Sequence, residues 1–400
     1  MSQFQQLAFE ASAVFTPGSP IDAKALFAGR TEQVRQVVDA INLRGHHALI
    51  FGERGVGKSS LAYVISDFIS VANVVAPRIN CDTSDTYSSL WKKAFSQIQL
   101  TKQRTPVGFA AQPVQEILVL GDQIERDITP SEVIRQLNSL SSAGLIIIIF
   151  DEFDRLPQET SALLADTIKT LSDHSINVTI ILVGVADSVN ELIAEHASVE
   201  RALIQIPVPR MPRAELREII LRGTERLTLS IEPTALDRIT ALSQGLPYYT
   251  HLLGLYASRQ AIDRQSTVIG YSDVVDSIKM ALDRSQQSIK NAYYEATKSP
   301  RPDNLFRQVL LACALAQTDE FGYFTAAAVR GPMSMIMKEN YDIPRFAGHL
   351  NSFSSDRGPV LQKTGMVRKY RYRFSNPLLQ PYIIMSGLRD GLITDDQLGE

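Results

Sequence analysis

Gly52-Glu53-Arg54-Gly55-Val56-Gly57-Lys58-Ser59-Ser60 meets the pattern G-x-x-x-x-G-K-[ST] without a mismatch. Its glycines let the backbone turn tightly and aim successive N–H groups inward, making a concave anion nest where a helix begins. Lys58 reaches terminal phosphates as a point charge, and the Ser59 hydroxyl is a ligand for Mg²⁺. The pattern needs a strand before it and a helix after it. Ala48-Leu49-Ile50-Phe51 reads as a short buried strand, and Ser60 to Ile65 as a helix. Gly52 to Ser60 are therefore expected to bind phosphates, with ATP and Mg²⁺ as the ligands.

Ninety residues on, Leu145-Ile146-Ile147-Ile148-Ile149-Phe150 reads as a central parallel strand buried on both faces. It runs into Asp151-Glu152-Phe153-Asp154, at the carboxyl edge where open α/β sheets bind ligands. Asp151 is expected to organise the Mg²⁺ shell and Glu152 to polarise an attacking water as general base. An acidic pair after a strand also serves simply to cap a helix; the phosphate loop upstream favours the chemical reading. Val178 to Val185 reads as a further apolar strand, and Ser198 to Ile206 leads into a further short one. Strands separated by helical segments predict a parallel, right-handed α/β sheet.

The totals set bounds. Four hundred residues with 44% hydrophobic and 21% charged residues suit two or three globular domains. A net charge of −3 confines any basic surface to a local patch. Cys81 and Cys313 form no disulfide framework or metal cluster, which points to a reducing cytoplasm. The longest apolar run is too short to span a bilayer, so no membrane partner is expected.

Along the chain, residues 1–20 are a turn-rich lead-in. Thr31 to Asn42 has helical spacing, with Thr31 as its cap. His46 and His47 lack a carboxylate or cysteine at ligand spacing and read as structural. Val74 to Asp82 reads as a second strand, pushed to an outer position by Pro77. Ser88 to Ile98 reads as a helix that buries Trp91, whereas 101–113 reads only as a loop or insertion. A helix starts after Asp127, and Glu191 to His196 continues as another. Pro207-Val208-Pro209-Arg210-Met211-Pro212 is the best domain boundary. Beyond it come helices over 214–222, 234–243, 247–259 and 272–297, and a second linker at 298–302. Helical stretches then precede a hairpin formed by Val360–Gly365 and Val367–Phe374. In its second strand Tyr370, Tyr372 and Phe374 alternate with Lys369, Arg371 and Arg373, so aromatics and cations take opposite faces.

These residues resemble the AAA+ superfamily over roughly residues 20 to 375. The likeness is to its initiator-like branch, the origin-recognition and transposition-regulator ATPases, with features of the neighbouring STAND signalling ATPases. The resemblance implies a P-loop core at 21–210, a helical lid at 211–297 and a winged helix-turn-helix domain at 301–385; residues 386–400 read as an acidic tail, with Asp390 to Glu400 a solvated end. Phe27-Ala28-Gly29-Arg30 resembles the box that encloses the adenine, which implicates Phe27, Gly29 and Arg30. Asp187 falls at the sensor-1 position, where the family commonly has Asn. Arg201 falls where such proteins place an arginine that reaches a neighbouring subunit's nucleotide, which implies a homo-oligomer; a surface salt bridge is the competing reading. Gly245-Leu246-Pro247 resembles the G-x-P motif of STAND ATPases, in which Pro247 packs on the base. No arginine stands at sensor 2, since the next basic residues are His251 and Arg259, and this favours a nucleotide-gated switch over fast turnover. Two functional readings stay open. In the first, an oligomeric ATPase acts on double-stranded DNA through its wing and through Arg345, His349 and Asn351. In the second, a STAND-like protein holds ATP as a regulatory ligand and engages a protein partner.

Overall fold

The computed structural model describes residues 3–18, 28–70, 74–104, 114–142, 144–185, 199–301, 304–367 and 369–398. They fall into two bodies. One comprises 30–52 and 58–208; the other comprises 1–29, 53–57 and 209–400. The first helix, α1 (Gln3–Val14), belongs to the second body.

The first body opens with α2 (Thr31–Asn42), β1 (His47–Phe51), α3 (Lys58–Ser70), β2 (Arg78–Asn80) and α4 (Tyr87–Ser96). A hairpin of β3 (Gln99–Arg104) and β4 (Val114–Val119) follows, then α5 (Pro130–Ser141), β5 (Ile146–Asp151), α6 (Gln158–Asp173), β6 (Val178–Gly184) and β7 (Leu203–Pro207). Five strands pair in parallel in the order β2-β5-β6-β1-β7. Every residue of β1, β5 and β6 is buried, as β-branched runs covered on both faces must be. Pro77 cannot donate to the ladder, and β2 is a three-residue edge strand rather than the nine-residue one expected; only a bridge from Val75 to Ile146 precedes it. Trp91 is fully buried against Phe95 and edge-on to Phe150.

Two local expectations need correction. Thr31 does not cap α2: the cap position is Arg30, in the left-handed conformation at φ 60°, with no side-chain cap bond. Of the stretch 101–113 expected to be a loop or insertion, residues 101–104 belong to β3, which pairs with β4 from Gln99–Val119 to Arg104–Val114, and the rest lies outside the described residues. The Glu191–His196 helix lies outside the described residues.

The second body continues with α7 (Arg213–Arg226), β8 (Ser230–Ile231), α8 (Pro233–Ser243), α9 (Pro247–Asp263), β9 (Val268–Ile269), α10 (Tyr271–Asp283) and α11 (Gln287–Thr297). Helix α9 is buried along nearly its whole length and packs against α1, α7, α8 and α10. The helix expected over 272–297 breaks after Asp283. There Ser285 bonds back to the Ala281 carbonyl at 2.6 Å, one of the local bonds by which serine competes with helix propagation.

Its last part holds α12 (Phe306–Ala314), β10 (Phe324–Thr325), α13 (Ala326–Met337), α14 (Ala347–Ser354), β11 (Leu361–Thr364), β12 (Arg371–Phe374) and α15 (Leu379–Arg389). Three helices and an antiparallel sheet ordered β10-β12-β11 make a winged helix-turn-helix. Phe324, Tyr372 and Phe374 are buried beneath the sheet, and Arg371 stays exposed. The end of the chain is not the solvated tail expected. Asp390 pairs with Arg307 and Arg389, and Asp395 accepts from Arg238 at 2.7 Å and from the Tyr271 hydroxyl. Ile393 is buried between these anchors.

Candidate nucleotide-binding site

Strand β1 delivers the chain into Gly52–Gly57, and α3 begins at Lys58. Gly55 and Gly57 stand at φ 86° and 95°, a region that L-residues with a side chain rarely adopt. Gly52 is required for a different reason. A Cβ there would lie 2.3 Å from the Val208 carbonyl oxygen, because Val208 continues β7 and donates its N–H to Phe51 at 2.7 Å.

Lys58 is buried and donates to the Gly52 carbonyl at 3.1 Å, which folds its ammonium back over the start of the loop. Ser59 donates its hydroxyl to Asp151 Oδ1 at 3.2 Å, so the two expected Mg²⁺ ligands converge. Asp151 also accepts the Glu152 N–H at 2.9 Å, and burial pushes its carboxyl above the usual range. That hydroxyl–carboxylate pair, a buried ammonium and two left-handed glycines fit a hard divalent cation carrying phosphates. Among the described residues no group of three or more His, Cys, Asp or Glu side chains competes as a metal site. Of the other loop positions, Val56 is buried, Ser60 half-buried on α3 and Arg54 exposed.

Glu152 stands beside Asp151 with its backbone at φ 55°. Its carboxylate is about half exposed and is held by Arg155 at 2.6 Å, one turn on. Asp154 caps the end of β6 by accepting the Val185 N–H at 2.7 Å, which fixes where the chain leaves the sheet. Asp187 itself, like Phe27, lies outside the described residues. Arg201 is exposed on a 3₁₀ turn, Glu200–Ala202, that leads into the edge strand β7. The structure thus gathers Lys58, Ser59, Asp151 and Glu152, and leaves Arg201 at the sheet's rim.

Of the other predicted contacts, Gly29 and Pro247 belong to the second body and Arg30 to the first. Gly29, at φ 68°, lies against Glu215 of α7, and Ala28 packs with Met211, Leu216 and Ile219. Arg30 heads α2. Pro247 is the first residue of α9, its Cγ 3.9 Å from where a Cβ on Gly57 would stand. Gly245, at φ 78°, is pressed against Arg210 and accepts the Met211 N–H at 2.8 Å.

Three residues escaped the sequence reading. Arg78 donates to the Ser59 carbonyl at 3.3 Å and its charge pulls the Asp151 carboxyl down, against the effect of burial. Asp154 is visible only as a third carboxylate after the strand. Arg210 binds the Glu53 carboxylate at 2.7 Å, with both side chains almost wholly buried; its one signal is a lone cation inside the proline cluster. His47 is structural: its Nδ1 accepts the Ile180 N–H at 3.0 Å, and burial lowers its pKa to about 4.

On the winged helix, Arg371 and Arg373 lie over the Tyr323 ring at 4.8 and 4.9 Å, and Arg371 pairs with Asp319. Lys363 binds Asn351 of α14 at 2.8 Å. Arg345 precedes α14 and lies over Tyr341 at 3.7 Å. His349 lies on α14, half-buried, with its ring packed edge-on against Phe306 at 4.9 Å.

A family model described as Novel STAND NTPase 1 matches residues 20–330. Among solved structures, the Walker-type ATPase PABY2304 of Pyrococcus abyssi is similar over 92% of this chain and 99% of that one, with 17% identity and a TM-score of 0.56. Cdc6p from Pyrobaculum aerophilum (13% identity, 96% and 99% covered, TM-score 0.49) and the Aeropyrum pernix ORC1 protein in complex with DNA (15%, 94% and 96%, 0.48) are also similar. No curated protein matches the chain. At these identities the first of the three structures shows a common fold.

Proposed function

Since the chain belongs to the novel STAND NTPases, we propose that it is an ATP-binding, slowly hydrolysing switch. The observation that carries this reading is the Ser59–Asp151 hydrogen bond beside the buried Lys58 ammonium. Lys58 holds the terminal phosphates, with Gly52 to Ser60 donating backbone N–H groups around them. Ser59 and Asp151 hold Mg²⁺, which when bound neutralises phosphate charge. Glu152 orients and deprotonates the attacking water. Its ion pair with Arg155 must loosen first, which suits slow turnover. Pro247, Phe27, Gly29 and Arg30 line the base, Asp187 stands near the γ-phosphate, and Arg201 acts in trans in a homo-oligomer.

The core spans 21–210, the lid 211–297 and the winged helix 301–385, and the conformational output is lid rotation and assembly. The exposed cations of the wing support contact with double-stranded DNA; a protein partner is the alternative. The test is a pair of variants read by nucleotide titration and phosphate release. Lys58→Ala should lose ATP binding. Glu152→Gln should bind ATP as tightly as wild type while turnover falls about 100-fold or more. Undiminished hydrolysis in Glu152→Gln would sink the base assignment, and unchanged affinity in Lys58→Ala would sink the site.

A further inference from the structure

Glu53 follows the first glycine of the phosphate loop, so the sequence puts a carboxylate where an anion is to bind. Left unpaired, that charge would oppose the nucleotide across a short, poorly screened distance. The structure neutralises it with Arg210, whose Nε lies 2.7 Å from Glu53 Oε2. The pair is 4% and 10% exposed, so its attraction is weakly screened and the loss of one partner strands the other.

The guanidinium does more than close this pair. Nη1 donates to Gln380 Oε1 of α15 at 2.6 Å and to the Gln244 carbonyl at 3.4 Å. Gln380, itself buried, donates to the Ala314 carbonyl at 2.8 Å and to Gln244 Oε1 at 3.3 Å. The turn Asp319–Gly322 covers the pair from the winged-helix side. Gly322 is at φ 78°, and a Cβ there would come within 2.3 Å of Glu53 Oε1 and 2.9 Å of Arg210 Nη2. Leu378, next to α15, packs on Gly55 of the loop, and its carbonyl accepts the Tyr249 hydroxyl at 2.7 Å. One arginine at the proline-rich junction therefore joins the phosphate loop, the lid and the winged helix.

We propose that Arg210 is a positioning residue that links nucleotide occupancy of the phosphate loop to docking of the winged-helix domain, by sharing its guanidinium between Glu53 and Gln380. This rests on the nucleotide-binding reading of the loop. With α15 and the 319–322 turn in place, the Glu53–Arg210 pair is dry and Glu53 is neutralised, so the loop accepts polyphosphate. When they leave, water weakens the pair and the carboxylate confronts the nucleotide. By linkage, nucleotide must in turn hold α15 in place, by the same factor.

The test uses the full-length chain, with ATP and ADP titrations and amide hydrogen exchange at residues 379–389. Arg210→Met should lower nucleotide affinity about tenfold or more and release α15. Adding Glu53→Gln to it should restore affinity to within about threefold, since the stranded charge is gone, while α15 stays released. Gly322→Ala and Gln380→Leu, both outside the loop, should raise exchange at α15 and weaken nucleotide by matching factors. Release of α15 with wild-type affinity in those two variants overturns the linkage, as does wild-type exchange in all of them. Failure of Glu53→Gln to rescue Arg210→Met overturns the charge mechanism. A wild-type chain that binds no nucleotide overturns the proposed function itself, whereas one that binds without these couplings overturns only the role of Arg210.

Discussion

At Gly52 a glycine is demanded by a neighbour, not by torsion. The Val208 carbonyl occupies the space a methyl group would need, and Val208 is tied to Phe51 by a ladder bond. Gly52→Ala must push the end of β7 away from β1, and overpacking of this kind costs about 1–3 kcal/mol. A lower denaturation midpoint with weakened nucleotide binding is the expected result, and an unchanged midpoint would show that β7 yields freely. Two histidines make a separate prediction about pH. His47 and His251 are both buried, and burial lowers each pKa from 6.5 to about 4. Above pH 6.5 both are neutral in folded and unfolded chains, and their burial is unopposed. As pH falls from 6.5 towards 4, only the unfolded chain takes up their protons, so stability falls; below 4 these two groups add no further loss. At about 1.4 kcal/mol per pKa unit, each contributes on the order of 3 kcal/mol across that window. Urea unfolding from pH 7 to 4.5 should show this slope, and His251→Leu, which removes a ring with no hydrogen-bond partner at either nitrogen, should flatten about half of it.

The elements differ in how far their sequences announce them. Strands β1, β5 and β6 could be read because a central parallel strand is a nearly continuous apolar run, and the phosphate loop and Asp151 mark the ends of two of them. The β3–β4 hairpin could not, since Gln99, Thr101 and Gln103 give no apolar alternation. Helix α15 was hidden by Pro381, which sits in its first turn where the missing N–H is tolerated. Helix α1 shows what only packing reveals. Phe15 follows it and fills a notch made by two glycines: Cβ atoms on Gly223 and Gly254 would lie 2.4 and 2.9 Å from its ring. No local pattern ties residue 15 to residues 223 and 254, and none ties Glu53 to Arg210. Phe15→Ala empties this notch, and truncations of buried phenylalanine cost about 3–5 kcal/mol. Amide exchange should then rise over Gln3–Val14 while β5 and β6 stay protected. Equal loss of protection in both regions would mean that the notch supports the whole fold instead of this one helix.

The whole molecule carries a net charge of −3, so attraction to a polyanion has to come from a local patch. Arg371 and Arg373 at the Tyr323 ring, together with Lys363 and Arg345, make such a patch, but part of its charge is already committed to Asp319 and Glu339. A patch of this size reaches few phosphates. If the patch contacts duplex DNA as proposed, binding should therefore be modest and its salt dependence shallow, because each phosphate neutralised contributes only about 0.9 to the slope of log K against log salt. Converting Arg371 and Arg373 to glutamine removes two cations and keeps the aromatic sheet beneath them. If both touch phosphates, the slope should fall by about 2 and affinity should weaken alike for unrelated sequences. Fluorescence anisotropy with a short labelled duplex at several salt concentrations, with and without ATP, measures this directly. If Arg210 links the loop to the winged helix, ATP should shift the affinity but leave the slope nearly unchanged, because nucleotide alters how the patch is presented and not how many cations it holds. Binding that is absent, or indifferent to salt, would assign this surface to a protein partner.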